Sequence, residues 1–200
     1  IATGVSLTLA LAVGMYLIGV GGWPIAAIGI ASLVCAIAYT GGPVPLAYVG
    51  LGDLFVLLFF GFAAVMGTVW VQIGAAPTDA WIASTCIGFL ATAILVVNNL
   101  RDRKTDEMAN KRTLAVRWGS QAARWEYTLL VTGAHVLVVG AVALRVATPG
   151  WLLTLLILPL SAHEIRSIWH KDGAALNPHL GGTARLELGF AVLLGIGALI

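Results

Sequence analysis

Long stretches without an acidic or basic side chain are the feature that most constrains how this chain folds. Residues 1–52 contain no Asp, Glu, Lys or Arg, and further runs without these residues cover 54–78, 80–100, 127–144 and 146–163. A helix needs about 20 apolar residues to cross the hydrocarbon core of a bilayer. Several of these runs reach that length, so the sequence predicts an all-α, polytopic membrane protein.

The composition supports this prediction. Of the 200 residues, 60% are hydrophobic and 10% are charged, whereas a soluble domain carries about 25% charged residues. The net charge of +2 is small, and no basic face of a soluble fold is present, so we expect no nucleic-acid partner. The partner that the composition does indicate is the lipid bilayer.

Glycine and proline clusters divide the chain into seven predicted helices. These cover about 1–19, 24–39, 53–74, 80–100, 125–145, 150–168 and 184–200. We interpret residues 1–200 as a single transmembrane domain. The chain starts at Ile1 and stops at Ile200, each inside an apolar run, and we therefore expect part of the protein to lie outside this sequence.

The basic residues predict the orientation of the helices. Ten of the eleven Lys and Arg follow the fourth or the sixth predicted helix, and only Arg145 falls at the opposite ends. Lys and Arg are enriched in cytoplasmic loops. The loop that contains Asp102 is therefore predicted to be cytoplasmic, together with the loops at 41–52 and around Lys171, and we expect the three loops to converge.

The segment 98–113 carries the richest chemistry, including five of the eleven Lys and Arg. If the fourth helix continues past residue 100, Asn98, Asp102 and Asp106 recur every four residues and share one face. Two carboxylates at this spacing suit Mg²⁺, and Lys or Arg side chains nearby suit a phosphate. The segment thus predicts a magnesium-diphosphate site. The alternative is a loop that is charged only because it lies outside the bilayer.

Two interpretations stay open for the polar residues elsewhere in the chain. Tyr39 and Asp53 either reach the diphosphate site or orient an aromatic acceptor; otherwise Tyr39 is an interfacial anchor and Asp53 caps a helix. His135 is interpreted as a hydrogen-bonded interior histidine. The residues 163–166, which include Glu164, are predicted to form a solvated helix end, and 176–179 a turn in which Asn177 faces the site.

The residues from Asn98 to Arg117 resemble the UbiA superfamily of intramembrane prenyltransferases. Within it they are most similar to the bacterial 1,4-dihydroxy-2-naphthoate polyprenyltransferases of menaquinone biosynthesis. The segments that carry the likeness are 98–102, 105–106, 111–117, 39–43, 50–53 and 176–178. Two positions depart from the family, which commonly has arginine where Val49 stands and glycine where Asn110 stands.

The resemblance implies nine transmembrane helices and two aspartate-rich motifs that bind Mg²⁺ and the substrate diphosphate. Asp102 and Asp106 fall on the second motif, as metal ligands and catalytic residues, whereas the first motif, with two helices, would precede Ile1. The remaining implied residues are the diphosphate contacts Asn98, Asn99, Arg101, Lys111 and Arg112, and the acceptor-side or second-tier residues Tyr39 and Asp53.

The activity that the resemblance implies is transfer of a polyprenyl group from a polyprenyl diphosphate to 1,4-dihydroxy-2-naphthoate. The carboxylate is lost and demethylmenaquinol forms, at the bacterial plasma membrane. A related prenyltransferase that acts on 4-hydroxybenzoate or another phenolic acceptor would fit the same residues. So would a transporter for an anionic metabolite, which would use the same basic loop, and a fragment without catalytic activity.

Overall fold

The structure, a computed structural model, describes residues 2–41 and 45–200. Over these residues it consists of helices and their connections, without a strand. Seven apolar helices form the bundle: α1 Ala2–Gly21, α2 Trp23–Thr40, α3 Gly52–Ile73, α4 Thr78–Met108, α5 Leu114–Ala143, α6 Pro149–His170 and α7 Gly173–Ala198. All but α2 are long and apolar enough to span a membrane. The predicted seven-helix membrane bundle is confirmed.

The centre of the bundle is α4, which packs against α3, α5 and α7. The fully buried side chains at these contacts include Leu90, Tyr127 and Phe190. Two glycines let α3 and α4 approach closely, since a Cβ on Gly61 would lie 2.8 Å from the Cα of Gly88. Small residues at such crossings are typical of helix packing in membranes.

The fourth and fifth helices extend further than the predicted bounds. α4 continues to Met108, about two turns past residue 100, so the helical condition for the Asn98, Asp102 and Asp106 column is met. α5 starts at Leu114 rather than near 125, and at its start the hydroxyl of Thr113 accepts a hydrogen bond from the backbone of Val116. The helix is interrupted at Gly119, whose backbone at φ 84° and ψ 174° is not helical. These bounds were wrong because an apolar run marks only the part of a helix that lies within the bilayer.

The last helix also starts earlier than predicted. A 3₁₀ turn at Gly173–Leu176 leads into α-helix at Asn177–Ala198, with Pro178 in the first turn, where a missing N–H costs nothing. The prediction of a stop-turn at 176–179 was wrong. Inside α3, the segment Leu57–Met66 is a π-helix, a form often found at functional sites.

Buried polar side chains join α5, α6 and α7. His135 is buried, and its Nε2 lies 2.9 Å from the hydroxyl of Ser161, which confirms the interior histidine. The prediction that Glu164 belongs to a solvated helix end is wrong, because this residue is only 3% exposed. Its Oε2 lies 2.7 Å from Nδ1 of His179, whose Nε2 lies 2.7 Å from Nζ of Lys171.

Candidate active site

Three connecting segments meet at one end of the bundle, which we call the charged end. The backbone N–H of Arg112 donates to the carbonyl of Tyr48 at 2.9 Å, which joins the segment after α4 to the segment before α3. The Nη1 of Arg101 donates to Oδ1 of Asn177 at 3.3 Å, which joins α4 to the start of α7. The predicted convergence of the three loops is confirmed, and Asn177 does contact a predicted site residue.

A cavity of about 440 Å³ opens at the charged end between the end of α2, the start of α3 and the last turns of α4. We call it the Asp106 cavity. Its polar lining includes Tyr39, Asp53, Asn98, Asn99, Asp106 and Lys111. These are six of the nine site residues that the sequence predicts, although Gly42 and Pro43 of the family-like segment lie outside the described residues.

The carboxylate of Asp106 is paired with the ammonium of Lys111. Lys111 Nζ donates to Asp106 Oδ2 at 3.0 Å, and both side chains are mostly shielded from solvent. The turn that brings Lys111 back to the helix contains Asn110 at φ 55°. This left-handed conformation favours glycine and is tolerated by asparagine, so Asn110 suits the place where the family usually has glycine.

Asp53 is the least satisfied polar side chain of the Asp106 cavity. The residue is 7% exposed, and its Oδ1 has no hydrogen-bond partner among the described residues. It lies in the first turn of α3 and makes no capping bond, so the capping interpretation was wrong. A buried acceptor without a donor costs about 1–3 kcal/mol, and this side chain is therefore placed to accept a hydrogen bond from a ligand.

A second polar cavity, of about 620 Å³, lies between the last turns of α4 and the start of α7, and we call it the Asp102 cavity. Arg101 is its central side chain. The Nε of Arg101 donates to Asp102 Oδ1 at 2.7 Å, and its Nη2 donates to Asn98 Oδ1 at 2.8 Å. Because Asn98 lines the Asp106 cavity, this hydrogen bond connects the two cavities.

The structure therefore separates residues that the sequence grouped together. Asp102 and Asp106 share α4 but line different cavities, and each is paired with its own cation. Arg112 is exposed, and its side chain lies in neither cavity. That Asp102 and Asp106 bind one metal ion, and that Arg112 binds diphosphate, stay predictions.

Sequence reasoning missed several side chains at the charged end. Ser120 and Asp172 line the Asp102 cavity, and Asp172 Oδ1 accepts a hydrogen bond from Arg124 at 2.8 Å. Arg117 donates to the backbone carbonyl of Val49 at 2.9 Å. Position 49 is the one at which the family commonly has arginine. Each contact joins residues at least 48 positions apart, and local spacing in the sequence cannot reveal such a contact. The only sequence signal for these residues was the basic character of their segments.

The side chains that α4 presents at the charged end are of the chemical kind that Mg²⁺ binds, although Asp102 and Asp106 are each paired with a cation in this structure. Proteins usually bind this ion through one or two carboxylates together with substrate phosphates and water, and Asp102 and Asp106 lie one helical turn apart with the amide of Asn98 one turn earlier. The part of the chain that the structure describes holds no cluster of three or more His, Cys, Asp or Glu side chains suited to a metal. The remaining ligands would therefore come from phosphate and water.

Comparison with known families gives a match over most of the chain. The model of the UbiA prenyltransferase family matches residues 2–181. This match includes all nine predicted site residues and confirms the family resemblance.

Several curated relatives carry the name 1,4-dihydroxy-2-naphthoate octaprenyltransferase. The protein from Haemophilus influenzae is 35% identical over 88% of this chain and 57% of its own length. Those from Escherichia coli and Mycobacterium tuberculosis are each 38% identical, over 77% and 83% of this chain and 50% and 56% of their own lengths. The chain thus spans little more than half the length of these relatives.

Proposed function

Because this chain belongs to the UbiA prenyltransferase family, we propose that its protein transfers a polyprenyl group from a polyprenyl diphosphate to 1,4-dihydroxy-2-naphthoate. The carboxylate is lost and demethylmenaquinol forms. The acceptor is proposed from the names of the relatives. The structural observation that carries the proposal is the Asp106 cavity, where residues from three parts of the chain that resemble the family meet.

The proposed chemistry begins with loss of the diphosphate from the allylic carbon. Lys111 and Asn98 donate hydrogen bonds to the diphosphate and stabilise the negative charge that builds as the C–O bond breaks. Asp102 and Asp106 would hold Mg²⁺, which would supply further neutralisation of the same charge. Arg101, which already contacts Asn98 and Asp102, keeps both side chains in place.

The acceptor side of the proposed site consists of Tyr39 and Asp53. The Oδ1 of Asp53, which has no partner among the described residues, accepts a hydrogen bond from a hydroxyl of the naphthoate ring, and Tyr39 lies at the apolar edge of the cavity. The ring supplies the electron pair that forms the new C–C bond. Apolar side chains below the cavity exclude the water that would otherwise capture the allylic cation.

A test of the proposal uses membranes that carry the protein expressed from the complete reading frame. A labelled polyprenyl diphosphate and 1,4-dihydroxy-2-naphthoate are supplied with Mg²⁺ or with EDTA. We expect a decarboxylated, prenylated naphthoquinol that forms only with Mg²⁺. Asp106→Asn should lower kcat/KM by about 100-fold or more, because it weakens charge stabilisation in the transition state.

Glu107→Gln is the matched control, since Glu107 is the next residue on α4 and its side chain is exposed. We expect this variant to keep the parent kcat/KM. If product forms with 4-hydroxybenzoate but not with the naphthoate, the proposed acceptor is contradicted. If no aromatic acceptor gives product, the proposed prenyltransferase activity is contradicted. Near-normal turnover of Asp106→Asn would contradict the role of Asp106.

The protein is an integral membrane protein, and we further propose that it lies in a bacterial plasma membrane with the charged end in the cytoplasm. Support comes from Lys and Arg, which are concentrated at that end, and from the general enrichment of these residues in cytoplasmic loops. This orientation would admit a water-soluble acceptor from the cytoplasm and a lipid donor from the bilayer.

A further inference from the structure

Three ionisable side chains at the charged end form a hydrogen-bonded chain that the proposed chemistry does not use. Oε2 of Glu164 lies 2.7 Å from Nδ1 of His179, and Nε2 of the same imidazole lies 2.7 Å from Nζ of Lys171. An ammonium group has donors only, so Nε2 accepts from Lys171 and Nδ1 donates to Glu164. His179 is therefore the neutral link between a carboxylate and an ammonium, and we call these three residues the His179 chain.

The His179 chain fixes where the start of α7 lies against α6. Glu164 belongs to α6, and both it and His179 are buried. Gly182, which follows His179 by one turn, leaves the space that the carboxylate occupies, because a Cβ at this position would collide with it. Sliding of α7 along α6 would break the hydrogen bond to Glu164 and close this space.

The same turn of α7 carries Asn177, two residues before His179. Oδ1 of Asn177 accepts a hydrogen bond from Nη1 of Arg101 at 3.3 Å. The guanidinium of Arg101 also donates to Asn98 and to Asp102. Because α-helix runs without a break from Asn177, the place of the His179 imidazole determines the place of the Asn177 amide.

The connection between α6 and α7, residues 171–176, is held from a second direction by Arg124 of α5. Its Nη2 donates to the carbonyl of Lys171 at 3.3 Å and to Oδ1 of Asp172 at 2.8 Å. Thus Arg124 holds the backbone of Lys171 while His179 holds its side chain. The connection supplies part of the lining of the Asp102 cavity, namely Asp172, Gly173 and Ala174.

We propose that the His179 chain is a set of positioning residues, which hold Asn177 against Arg101 and so keep Arg101 directed at Asn98 and Asp102. The inference rests on the proposed function and adds to it the side chains that act through Arg101. Without Asn177 in place, the guanidinium loses one of its three side-chain partners and turns more freely. The consequence falls on the transition state, in which the charge on the leaving diphosphate is greatest, so kcat falls while KM changes little.

The experiment is a double-mutant cycle in the complete protein, with each rate expressed per folded molecule. We expect His179→Leu to lower kcat about tenfold or more, as small misplacements of a catalytic group do. Asn177→Ala should lower kcat similarly, and the double variant should be no slower than Asn177→Ala alone, since residues that act through one contact are not additive. His135→Leu is the matched control, because it removes another buried histidine hydrogen bond, to Ser161, and it should keep the parent kcat.

Additive losses for His179→Leu and Asn177→Ala would overturn the proposal, because His179 would then act independently of Asn177. A parent kcat for His179→Leu would also overturn it. If His179→Leu fails to fold, Lys171→Met is used in the same cycle. Lys171 is exposed, and this variant leaves the pair of Glu164 and His179 in place.

A measurement without substrate separates this proposal from the proposed function. Lys104 and Ala174 line opposite sides of the Asp102 cavity, one on α4 and one before the α-helical part of α7, and both are exposed. Spin labels on Lys104→Cys and Ala174→Cys, in a background without other cysteines, report the distance across this cavity. His179→Leu should broaden or shift the distance distribution, whereas His135→Leu should not. An unchanged distribution for His179→Leu would overturn the positioning role, whereas a parent protein without turnover would contradict the proposed function alone.

Discussion

At the scale of single residues, Asp53 is expected to serve turnover while it lowers the stability of the fold. Its carboxylate is buried and its Oδ1 lacks a donor among the described residues, an arrangement that costs a protein about 1–3 kcal/mol. We expect Asp53→Leu to raise the melting temperature of the purified protein by a few degrees and to abolish turnover. The seven tryptophans allow unfolding to be monitored by intrinsic fluorescence in detergent.

Asp79→Leu is a useful comparison because the Oδ1 of Asp79 accepts a hydrogen bond from the backbone of Ala80 at 2.8 Å. Removal of this satisfied acceptor should lower the melting temperature and leave turnover intact. A lower melting temperature for Asp53→Leu would show that Asp53 stabilises the fold, and the proposed role in acceptor binding would then be wrong.

Sequence reasoning predicted which residues surround the site better than it predicted which of them meet. Spacing along one helix placed Asn98, Asp102 and Asp106 on a common face, and α4 does continue through them. Spacing gave no sign that Asp102 pairs with Arg101 in another cavity. That cavity is completed by Asn177, which α7 brings within 3.3 Å of Arg101, and a contact between positions 76 apart leaves no local pattern.

At the scale of helices, the buried chain of Glu164, His179 and Lys171 joins α6 to α7 at the charged end. Loss of one partner from a buried, hydrogen-bonded pair leaves the other uncompensated and typically costs about 3–5 kcal/mol. We expect Glu164→Ala to lower the free energy of unfolding in mixed micelles by about this amount. Glu164→Gln, which keeps an acceptor for His179, should lose less.

Two further variants make the prediction on Glu164 specific. A Cβ on Gly182 would collide with the carboxylate of Glu164, so Gly182→Ala should also destabilise the protein. Glu107→Ala removes an exposed carboxylate and should have little effect. Equal unfolding free energies for Glu164→Ala and Glu107→Ala would show that the buried pair does not stabilise the contact between α6 and α7.

The same helices show why their ends were hard to predict. Residues 114–124 and 173–183 are polar enough to look like loops, yet both are helical apart from a break at Gly119. Side-chain contacts hold them in place, as where Nε of Arg124 donates to the carbonyl of Ile168 at 2.9 Å. Helix formation there depends on tertiary partners rather than on periodicity or propensity.

At the scale of the whole molecule, hydrophobicity alone was sufficient to predict the class of fold. Seven apolar segments became seven helices because a backbone in lipid must satisfy its own hydrogen bonds, and a helix does so within one segment. Which of the helices would be most buried could not be predicted in the same way. α4 is the most buried of the six long helices, yet its apolar run resembles the others in composition.

The orientation of the molecule gives the last prediction. Lys104 lies on the exposed last turns of α4 at the charged end, and Ala76 lies in the exposed turn between α3 and α4 at the opposite end. Single cysteines at these positions, in a protein without Cys35 and Cys86, report the side of the membrane. In intact cells, an impermeant maleimide should label Ala76→Cys and leave Lys104→Cys unlabelled until the membrane is permeabilised. Labelling of Lys104→Cys from outside would place the proposed active site away from the cytoplasm and contradict the orientation predicted from the basic residues.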